Sequence, residues 1–576
     1  MATASGEGAS STRPEGLSGH VPIVRWIGGY DWGKWLVVDL IAAVSVAALL
    51  IPESMGYAGV AGLPPEVGLY AAPLALLGYA IFGRSTILVL ATSSSTAAVS
   101  ASVIADVNAG GASDTAVALS AALALFTGLI FVAAGLARLG WVANFMSKTV
   151  IEGFIIGLSI SIMIGQLDDL LGIEVSGENS FEKLWDVLSQ LGEWNQPTVV
   201  VGFVSLALLF LLERFVEKLP AALAVVALGI LYIRLADPSE VAIVGDIPQG
   251  LPAVGIPDFT SSQVGGLVAG GLAVALVGFS EGYGAASSFA RKYGDRLESN
   301  QEFIAYGASN VGAGLTSGMV VGGSLSKSAA ADSAKAKSQM SNVINAALVV
   351  LTLLFLAPLF ESLPAATLAA VVIHAVSRSA NPRKLAPVWR VTRPEFALAV
   401  IVLVAVLALD TLPAIALGVI VSLLALIYRA SFPSATELRR DPVTGTLESA
   451  ASHEDAEQIE GFVVYRFDAP LMYANAEFFA DAARALVEEA DPPPKVLVVD
   501  CEDMFLVDFT GTDALENMVL DMRARNVNVR LARVHGSVLD KLRASGALAE
   551  LGEENVFSQV EDAIAAGVPS VAEPAQ

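Results

Sequence analysis

The segments ATSSSTA at residues 91–97 and GGSLSKSA at residues 322–329 decide how this chain folds. Both are rich in hydroxyl side chains, and both interrupt a series of apolar runs. Each opens a helical stretch shorter than the ~20 residues that cross the hydrocarbon core of a bilayer. Broken helices at matching places in two halves of a chain are typical of secondary transporters, whose substrate sites lie there.

The composition places both segments in a polytopic membrane protein. Hydrophobic residues make up 54% of the 576 and charged residues 16%, and the mean hydropathy is +0.64. The apolar runs predict fourteen spans. They cover residues 35–55, 68–82, 95–106, 116–136, 149–171, 197–213, 219–236, 263–288, 300–317, 325–338, 341–358, 364–378, 394–409 and 413–428.

The placement of basic residues predicts the orientation. With a cytoplasmic N-terminus, 19 of the 22 lysines and arginines before Ser431 fall on the inner side, as the positive-inside rule requires. Of the other three, Lys183 and Arg234 fall outside and Lys327 falls within the membrane. We therefore expect a multi-pass protein of the cell (inner) membrane with both chain ends in the cytoplasm.

The character of the chain changes after Arg429. Alternating strand and helix patterns predict a small α/β domain over residues 456–570, with helices against a sheet. The remaining predicted parts are a disordered tail at 1–30, the membrane domain at 31–430, a polar linker at 431–455 and a tail at 571–576.

The acidic C-terminal part limits the classes of function. From Ser431 onward the chain has 27 acidic and 11 basic residues, which argues against nucleic acid as a partner. This part offers no nucleophile–base pair and no phosphate-binding loop, so we do not expect an enzyme. The single cysteine and four scattered histidines give no disulfide, metal site or cofactor site.

Fourteen spans divide into two halves of seven, and local sequence matches support this division. ESMGYA at 53–58 resembles EGYGA at 281–285, and a hydroxyl-rich break follows each. An odd number of spans makes the repeats inverted, so the two short helices face each other with their N-termini near the midplane. Each N-terminus carries roughly half a positive charge. Together with Lys327, the two helix N-termini predict an anion-binding site.

The predicted substrate contacts come from both breaks. They are Ser94, Ser95, Thr96, Gly323, Ser324, Leu325, Ser326 and Lys327. Two other interpretations stay open here. Lys327 could instead pair with Glu281 or Asp332, and the serines could only cap the helix ends.

Two carboxylates in apolar stretches are candidates for ion coupling. Glu53 and Glu281 occupy related places in the two halves, and Gly and Ser neighbours leave room for water beside them. Desolvation could let one of them carry a proton through a transport cycle. The alternative is that each is ionised and paired.

These residues resemble the sulfate permease family, also known as solute carrier 26. The resemblance rests on IPESMGYA at 51–58, AGLPPEVGLY at 61–70, the fifth span from Gly153 to Leu167, and GSLSKSA at 323–329. The C-terminal part resembles the STAS domain that ends many members. There, DFTG at 508–511 matches a loop that carries a phosphorylatable hydroxyl in related proteins. That makes Thr510 a regulatory candidate, although a helix N-cap is the simpler role.

The resemblance implies a core and a gate domain, a homodimer within membrane lipid, and anions such as sulfate, bicarbonate, chloride or dicarboxylates as substrates. We predict secondary active transport of an inorganic anion, foremost sulfate, coupled to protons or sodium, by an elevator-type movement. Two alternatives remain. An uncoupled channel would need a continuous polar stripe along several spans, whereas the polar residues here are localised. A nucleobase–cation symporter of the same seven-plus-seven plan would need no intramembrane cation, so Lys327 counts against it.

Overall fold

The computed structural model describes residues 21–108, 113–140, 147–216, 220–236, 238, 240–409, 411–453 and 455–568. The chain divides into two compact units, with the division between Ser422 and Leu423. The first unit is built almost entirely of helices. The second contains a six-stranded sheet.

The helices of the first unit follow the apolar runs. They are α1 (Ile23–Gly28), α2 (Leu36–Val60), α3 (Pro65–Phe82), α4 (Ser94–Asn108), α5 (Ser113–Leu136), α6 (Lys148–Gly165), α7 (Leu167–Leu171), α8 (Ser180–Ser189), α9 (Gln196–Phe215), α10 (Ala221–Ala236), α11 (Val264–Tyr293), α12 (Ser299–Leu315), α13 (Leu325–Ser333), α14 (Met340–Leu351), α15 (Ala357–Phe360), α16 (Ala365–Ser377), α17 (Ala386–Val391), α18 (Arg393–Ala408) and α19 (Thr411–Ser431), which continues across the division. A π-helical turn, Thr352–Leu356, joins α14 to α15, and a 3₁₀ turn, Pro382–Leu385, precedes α17.

Each of the fourteen predicted spans coincides with a helix or a pair of consecutive helices. Among the described residues, eight helical segments are long and apolar enough to cross a membrane. The number of spans stays a prediction, because α4, α13 and several others are shorter than a full crossing.

The predicted disordered tail at 1–30 ends too late. Residues 1–20 lie outside the described residues, whereas Ile23–Gly28 forms α1. The indole Nε1 of Trp26 donates to the carbonyl of Ala80, 2.9 Å away. The apolar side chains of this short helix were too few to show a periodic pattern in the sequence.

Two three-residue strands join the broken segments. β1 (Val89–Ala91) and β2 (Gly322–Ser324) pair antiparallel, with Val89 opposite Ser324 and Ala91 opposite Gly322. The helix α13 begins directly after β2, and two residues separate α4 from β1. Because antiparallel strands leave a shared ladder in opposite directions, the two helices run away from each other.

The short helices pack on the opposite half of the unit. α4 lies against α11, and α13 lies against α2. A glycine permits one of these contacts between halves, since a Cβ on Gly278 in α11 would lie 3.1 Å from the side chain of Thr96 in α4. This exchange of partners fits the predicted inverted repeat.

The second unit is an α/β domain. Its strands are β3 (Ala435–Arg440), β4 (Leu447–Ser449), β5 (Phe462–Phe467), β6 (Val496–Asp500), β7 (Asn528–Ala532) and β8 (Val556–Phe557), and its helices are α20 (Ala476–Glu489), α21 (Phe509–Ala524), α22 (Gly536–Ser545), α23 (Ala547–Leu551) and α24 (Val560–Ala565). The sheet order is β4-β3-β5-β6-β7-β8, and β5 to β8 are parallel. All five side chains of the central strand β6 are buried, as its continuous apolar run predicts.

The prediction of a polar linker at 431–455 is wrong. Within it, β3 and β4 form an antiparallel hairpin, and β3 also pairs with β5. The hairpin forms the edge of the sheet, and its two strands contain the charged residues Glu437, Arg439, Arg440 and Glu448. That composition made the segment look like a linker.

Candidate functional site

The starts of α4 and α13 have the same hydrogen-bond pattern. The backbone N–H of Thr96 donates to the hydroxyl of Ser93, and that of Lys327 donates to the hydroxyl of Ser324, each at 3.4 Å. The cap hydroxyl lies 3.2 Å from that of the serine two residues later in both segments. The segments are therefore equivalent position by position, with Thr96 standing where the other has Lys327.

Capping leaves donors for a ligand. The first turn of a helix has up to four N–H groups without an intrahelical partner, and one cap side chain satisfies one or two of them. Of the four serines that were candidate caps, Ser94, Ser95, Ser324 and Ser326, only Ser324 accepts such a bond, and Ser93 takes this place at α4. A capped helix start is still compatible with substrate contact. Helix N-termini of this kind bind anions through the remaining N–H groups and the helix dipole.

Lys327 is fully buried and is already paired. Its Nζ lies 2.7 Å from Oε2 of Glu53 and 3.2 Å from the carbonyl oxygen of Thr92. It also lies 5.1 Å from the ring centroid of Tyr57. A single ammonium group thus links α2, α13 and the strand end before α4.

This pairing corrects the sequence-based alternative for Lys327. The alternative to substrate contact was a pair with Glu281 or Asp332, but the partner is Glu53, 274 residues away in sequence. Asp332 instead pairs with Lys292 at 2.6 Å. Glu281, on α11, is instead hydrogen-bonded by Ser95 at the start of α4.

Glu281 makes the reciprocal contact at the other half-helix. The hydroxyl of Ser95, in the first turn of α4, donates to Oε2 of Glu281. In the part of the chain that the structure describes, no lysine or arginine lies within ion-pairing distance of this carboxylate. Each repeat therefore provides one carboxylate to the half-helix of the other repeat, and only one of the two carboxylates has a cation.

The eight predicted substrate contacts fall into two groups that the strands bring together. Ser95, Thr96, Gly323, Ser324 and Lys327 are buried, whereas Ser94 and Ser326 are partly exposed and Leu325 is exposed. Thr92 was missed in the sequence: its carbonyl accepts from Lys327, and its hydroxyl donates to Ser54 at 2.8 Å.

A cavity of about 500 Å³ adjoins this site. Glu53 and Ser326 line one part of it, and Glu213, His374 and Arg378 line another. Nε2 of His374 lies 2.7 Å from Oε2 of Glu213, and Arg378 pairs with the other carboxylate oxygen.

Little in the sequence indicates the Glu213–His374–Arg378 cluster. His374 is a lone histidine in the apolar stretch of α16, and Glu213 lies at the far end of α9. Only the packing of α9 on α16 brings the two side chains together.

Thr510 is not a helix cap. Asp508 is the N-cap of α21, and its carboxylate accepts from the N–H of Gly511 at 2.8 Å. The side chain of Thr510 is exposed in the first turn. Its regulatory role stays a prediction.

The helical unit with two facing half-helices, followed by an α/β domain, defines a polytopic α-helical membrane protein with an appended α/β domain. The chain matches the sulfate permease family model over residues 36–402 and the STAS domain model over residues 454–563. It belongs to the sulfate permease family. The predicted family, the helical membrane fold and the C-terminal STAS domain are confirmed.

Two relatives cover nearly the whole chain. A probable sulfate transporter of Mycobacterium tuberculosis strain H37Rv is 34% identical over 537 residues, or 92% of this chain and 95% of that protein. Sulfate transporter 4.1, chloroplastic, of Arabidopsis thaliana is 28% identical over 566 residues, or 94% of this chain and 82% of that protein.

Two solved structures share the fold. The murine solute carrier 26 family member A9 anion transporter, in the inward-facing state, aligns with a TM-score of 0.88 at 23% identity, covering 97% of this chain and 96% of that one. The transmembrane domain of the cyanobacterial bicarbonate transporter BicA aligns with a TM-score of 0.60 at 21% identity, covering 67% of this chain and 97% of that one.

Proposed function

We propose that this protein is a secondary active transporter of an inorganic anion, foremost sulfate, in the cell membrane. The observation that carries the proposal is the buried Lys327–Glu53 pair between the starts of two facing half-helices. The similarity to the mycobacterial and plant sulfate transporters supports sulfate as the substrate.

The pair suggests how an anion binds. With both partners ionised, the carboxylate of Glu53 pairs with the ammonium group of Lys327, which an anion would need for binding. Protonation of Glu53 removes its charge and frees Lys327 for the substrate. Proton and anion then bind with mutual reinforcement, which is the thermodynamic requirement for symport. Lys327 exchanges one carboxylate partner for the transported anion.

Charge balance gives Glu281 a part in the same cycle. Lys327 and two helix N-termini of about half a charge each supply roughly two positive charges, enough to match a doubly charged sulfate. That match holds only when both carboxylates are neutralised. We therefore propose two coupling positions, Glu53 and Glu281, each taking a proton or, at Glu281 beside the Ser95 hydroxyl, a sodium ion.

The proposed movement is of the elevator type. The half-helices, with α2 and α11 packed on them, form a compact core, whereas α9, α10 and α16 line the far side of the cavity. Movement of the core against these helices would carry the Lys327 site across the membrane. We further propose a homodimer, with the N-terminus and the STAS domain in the cytoplasm.

Uptake of labelled sulfate into proteoliposomes tests the proposal. The wild-type protein should concentrate sulfate in response to an inward proton or sodium gradient, and unlabelled bicarbonate or dicarboxylate should compete to the extent that it is a substrate. Uptake that no ion gradient drives would indicate the uncoupled channel. Uptake of labelled uracil, with no uptake of labelled sulfate, would indicate a nucleobase symporter.

A further inference from the structure

Helix α8 (Ser180–Ser189) has an apolar face that no described part of the protein covers. Phe181, Leu184, Trp185 and Leu188 follow a helical spacing on one face, and their exposed fractions are 51%, 36%, 75% and 50%. Four large apolar side chains in one stripe exceed what scattered exposure on a soluble surface produces. The sequence predicted no helix here, since the segment is too short and too polar on average for a span.

The other sides of α8 have different characters. Val187 is buried and Ser180 is 6% exposed, so this side faces the protein, where α8 packs on α6 and α18. Glu182 and Asp186 lie on a third side. Hydrogen bonds from the backbone N–H and hydroxyl of Ser176 hold the pKa of Asp186 below its usual value, so this side stays charged.

The depth of α8 follows from its contacts with a membrane helix. The hydroxyl of Ser180, its first residue, donates to the hydroxyl of Ser161 at 2.8 Å. Ser161 lies four residues before the end of α6, about 6 Å along the helix axis. The next membrane helix, α9, begins at Gln196, soon after α8 ends. The helix therefore lies level with the ends of the spans it connects.

We propose that α8 is an interfacial helix whose apolar face lies among lipids at the boundary between headgroups and acyl chains. A hydrophobic face with Trp and Leu opposite a charged face is the pattern of helices that lie in the plane of a membrane. Trp185, the most exposed of the four, is a residue type enriched at this depth. The helix anchors α6 and α18 at a fixed depth, so that they stay in place while other parts of the transporter move.

The chain is well suited to a labelling test. Its single cysteine, Cys501, is 1% exposed, and burial raises the pKa of its thiol, which leaves little reactive thiolate. Trp185→Cys and Leu188→Cys place a nitroxide on the apolar face. Ser189→Cys places a nitroxide on the exposed polar side. Val443, which is 91% exposed in a turn of the second unit, provides a reference in water as Val443→Cys.

Collision of the nitroxides with oxygen and with a water-soluble nickel chelate is measured on full-length protein in phosphatidylcholine–phosphatidylglycerol vesicles. We expect the labels at 185 and 188 to favour oxygen, at a depth of about 5–10 Å below the headgroups. The labels at 189 and 443 should favour the nickel chelate. Equal nickel accessibility at 185, 188 and 189 overturns the proposal. So does shielding from both reagents with dipolar broadening at 185, since a second copy of the chain would then cover the face.

A second measurement does not depend on labelling. Brominated lipids quench tryptophans that contact acyl chains, and Trp185→Phe keeps the apolar face while removing one of seven tryptophans. The quenchable fraction of the fluorescence should fall in this variant, whereas an unchanged fraction contradicts lipid contact. Trp185→Glu should in addition release α8 from the vesicle surface, seen as nickel accessibility of a label at 188. Retained protection there would also overturn the proposal.

Discussion

The segment of β1 and α4 and the segment of β2 and α13 have the same architecture and different charge. Both begin with a three-residue strand, a serine cap and a second serine two residues later. The residue three positions after the cap is Thr96 in the first segment and Lys327 in the second. A carboxylate from the opposite repeat reaches each segment, but only Glu53 finds a cation. The two facing helix starts thus share one backbone arrangement, and a single residue, Lys327, decides the charge of the site between them.

The largest effect is expected from removing that residue. Lys327→Ala leaves the carboxylate of Glu53 buried without a partner, which costs about 3–5 kcal/mol of stability, and sulfate uptake should be abolished. The measurements are thermal unfolding in detergent and proteoliposome uptake. Lys292→Ala, which removes the cation of an exposed pair, is the matched control and should keep most uptake.

A second variant separates the two roles of Lys327. Glu53→Gln combined with Lys327→Ala removes both charges, so stability should recover towards that of the wild type while uptake stays absent. If the double variant transports sulfate, Lys327 is a structural partner of Glu53 and not part of the anion site.

The next prediction compares the two carboxylates. Glu53→Gln and Glu281→Gln each mimic one neutralised site, so each variant should still exchange internal for external sulfate. Each variant should lose its response to one of the ion gradients that drive the wild-type protein. The measurement is the steady-state accumulation ratio under a proton gradient and under a sodium gradient. A Glu281→Gln variant with the wild-type ratio would leave Glu53 as the sole coupling group.

A smaller effect should come from the close approach of β2 to α11. The new Cβ in Gly323→Ala would press on the Cα of Gly282, and forced overpacking of this kind costs about 1–3 kcal/mol. In Gly322→Ala the nearest atom is 3.0 Å away, at the end of the Thr96 side chain, which can adjust. Thermal unfolding of the two variants should differ in that order. Equal stability would show that β2 packs less tightly on α11 than the geometry indicates.

The smallest effect concerns the symmetric caps. Ser93→Ala and Ser324→Ala each remove one long cap hydrogen bond, and each should lower stability by about 0.5–2 kcal/mol. We expect nearly equal changes, measured as shifts in the midpoint of thermal unfolding. A much larger loss for Ser324→Ala would show that this hydroxyl also holds the Lys327 side chain in place.

The parts of the structure that depend on local patterns could be predicted from the sequence. Apolar runs located the helices that correspond to the fourteen predicted spans, although they missed the short helices α1 and α8. The hydroxyl-rich breaks located the starts of α4 and α13. The pairing of β1 with β2 could not be predicted, since a three-residue strand such as Gly322–Ser324 has no periodicity. Contacts over long sequence distances were equally out of reach. Nothing near Lys327 indicates Glu53, and nothing near Glu213 indicates His374.

The exchange of partners between α4 and α13 bears on how such a chain arose. Because α4 packs on α11 and α13 packs on α2, neither half of the first unit contains a complete site. An ancestral polypeptide of half this length would have needed a second copy, inserted upside down, to build one. Fusion of two such copies into one gene would make that partner permanent and let the copies diverge. Two fragments separated in the loop at 240–263 should therefore restore sulfate uptake when coexpressed, and neither should do so alone.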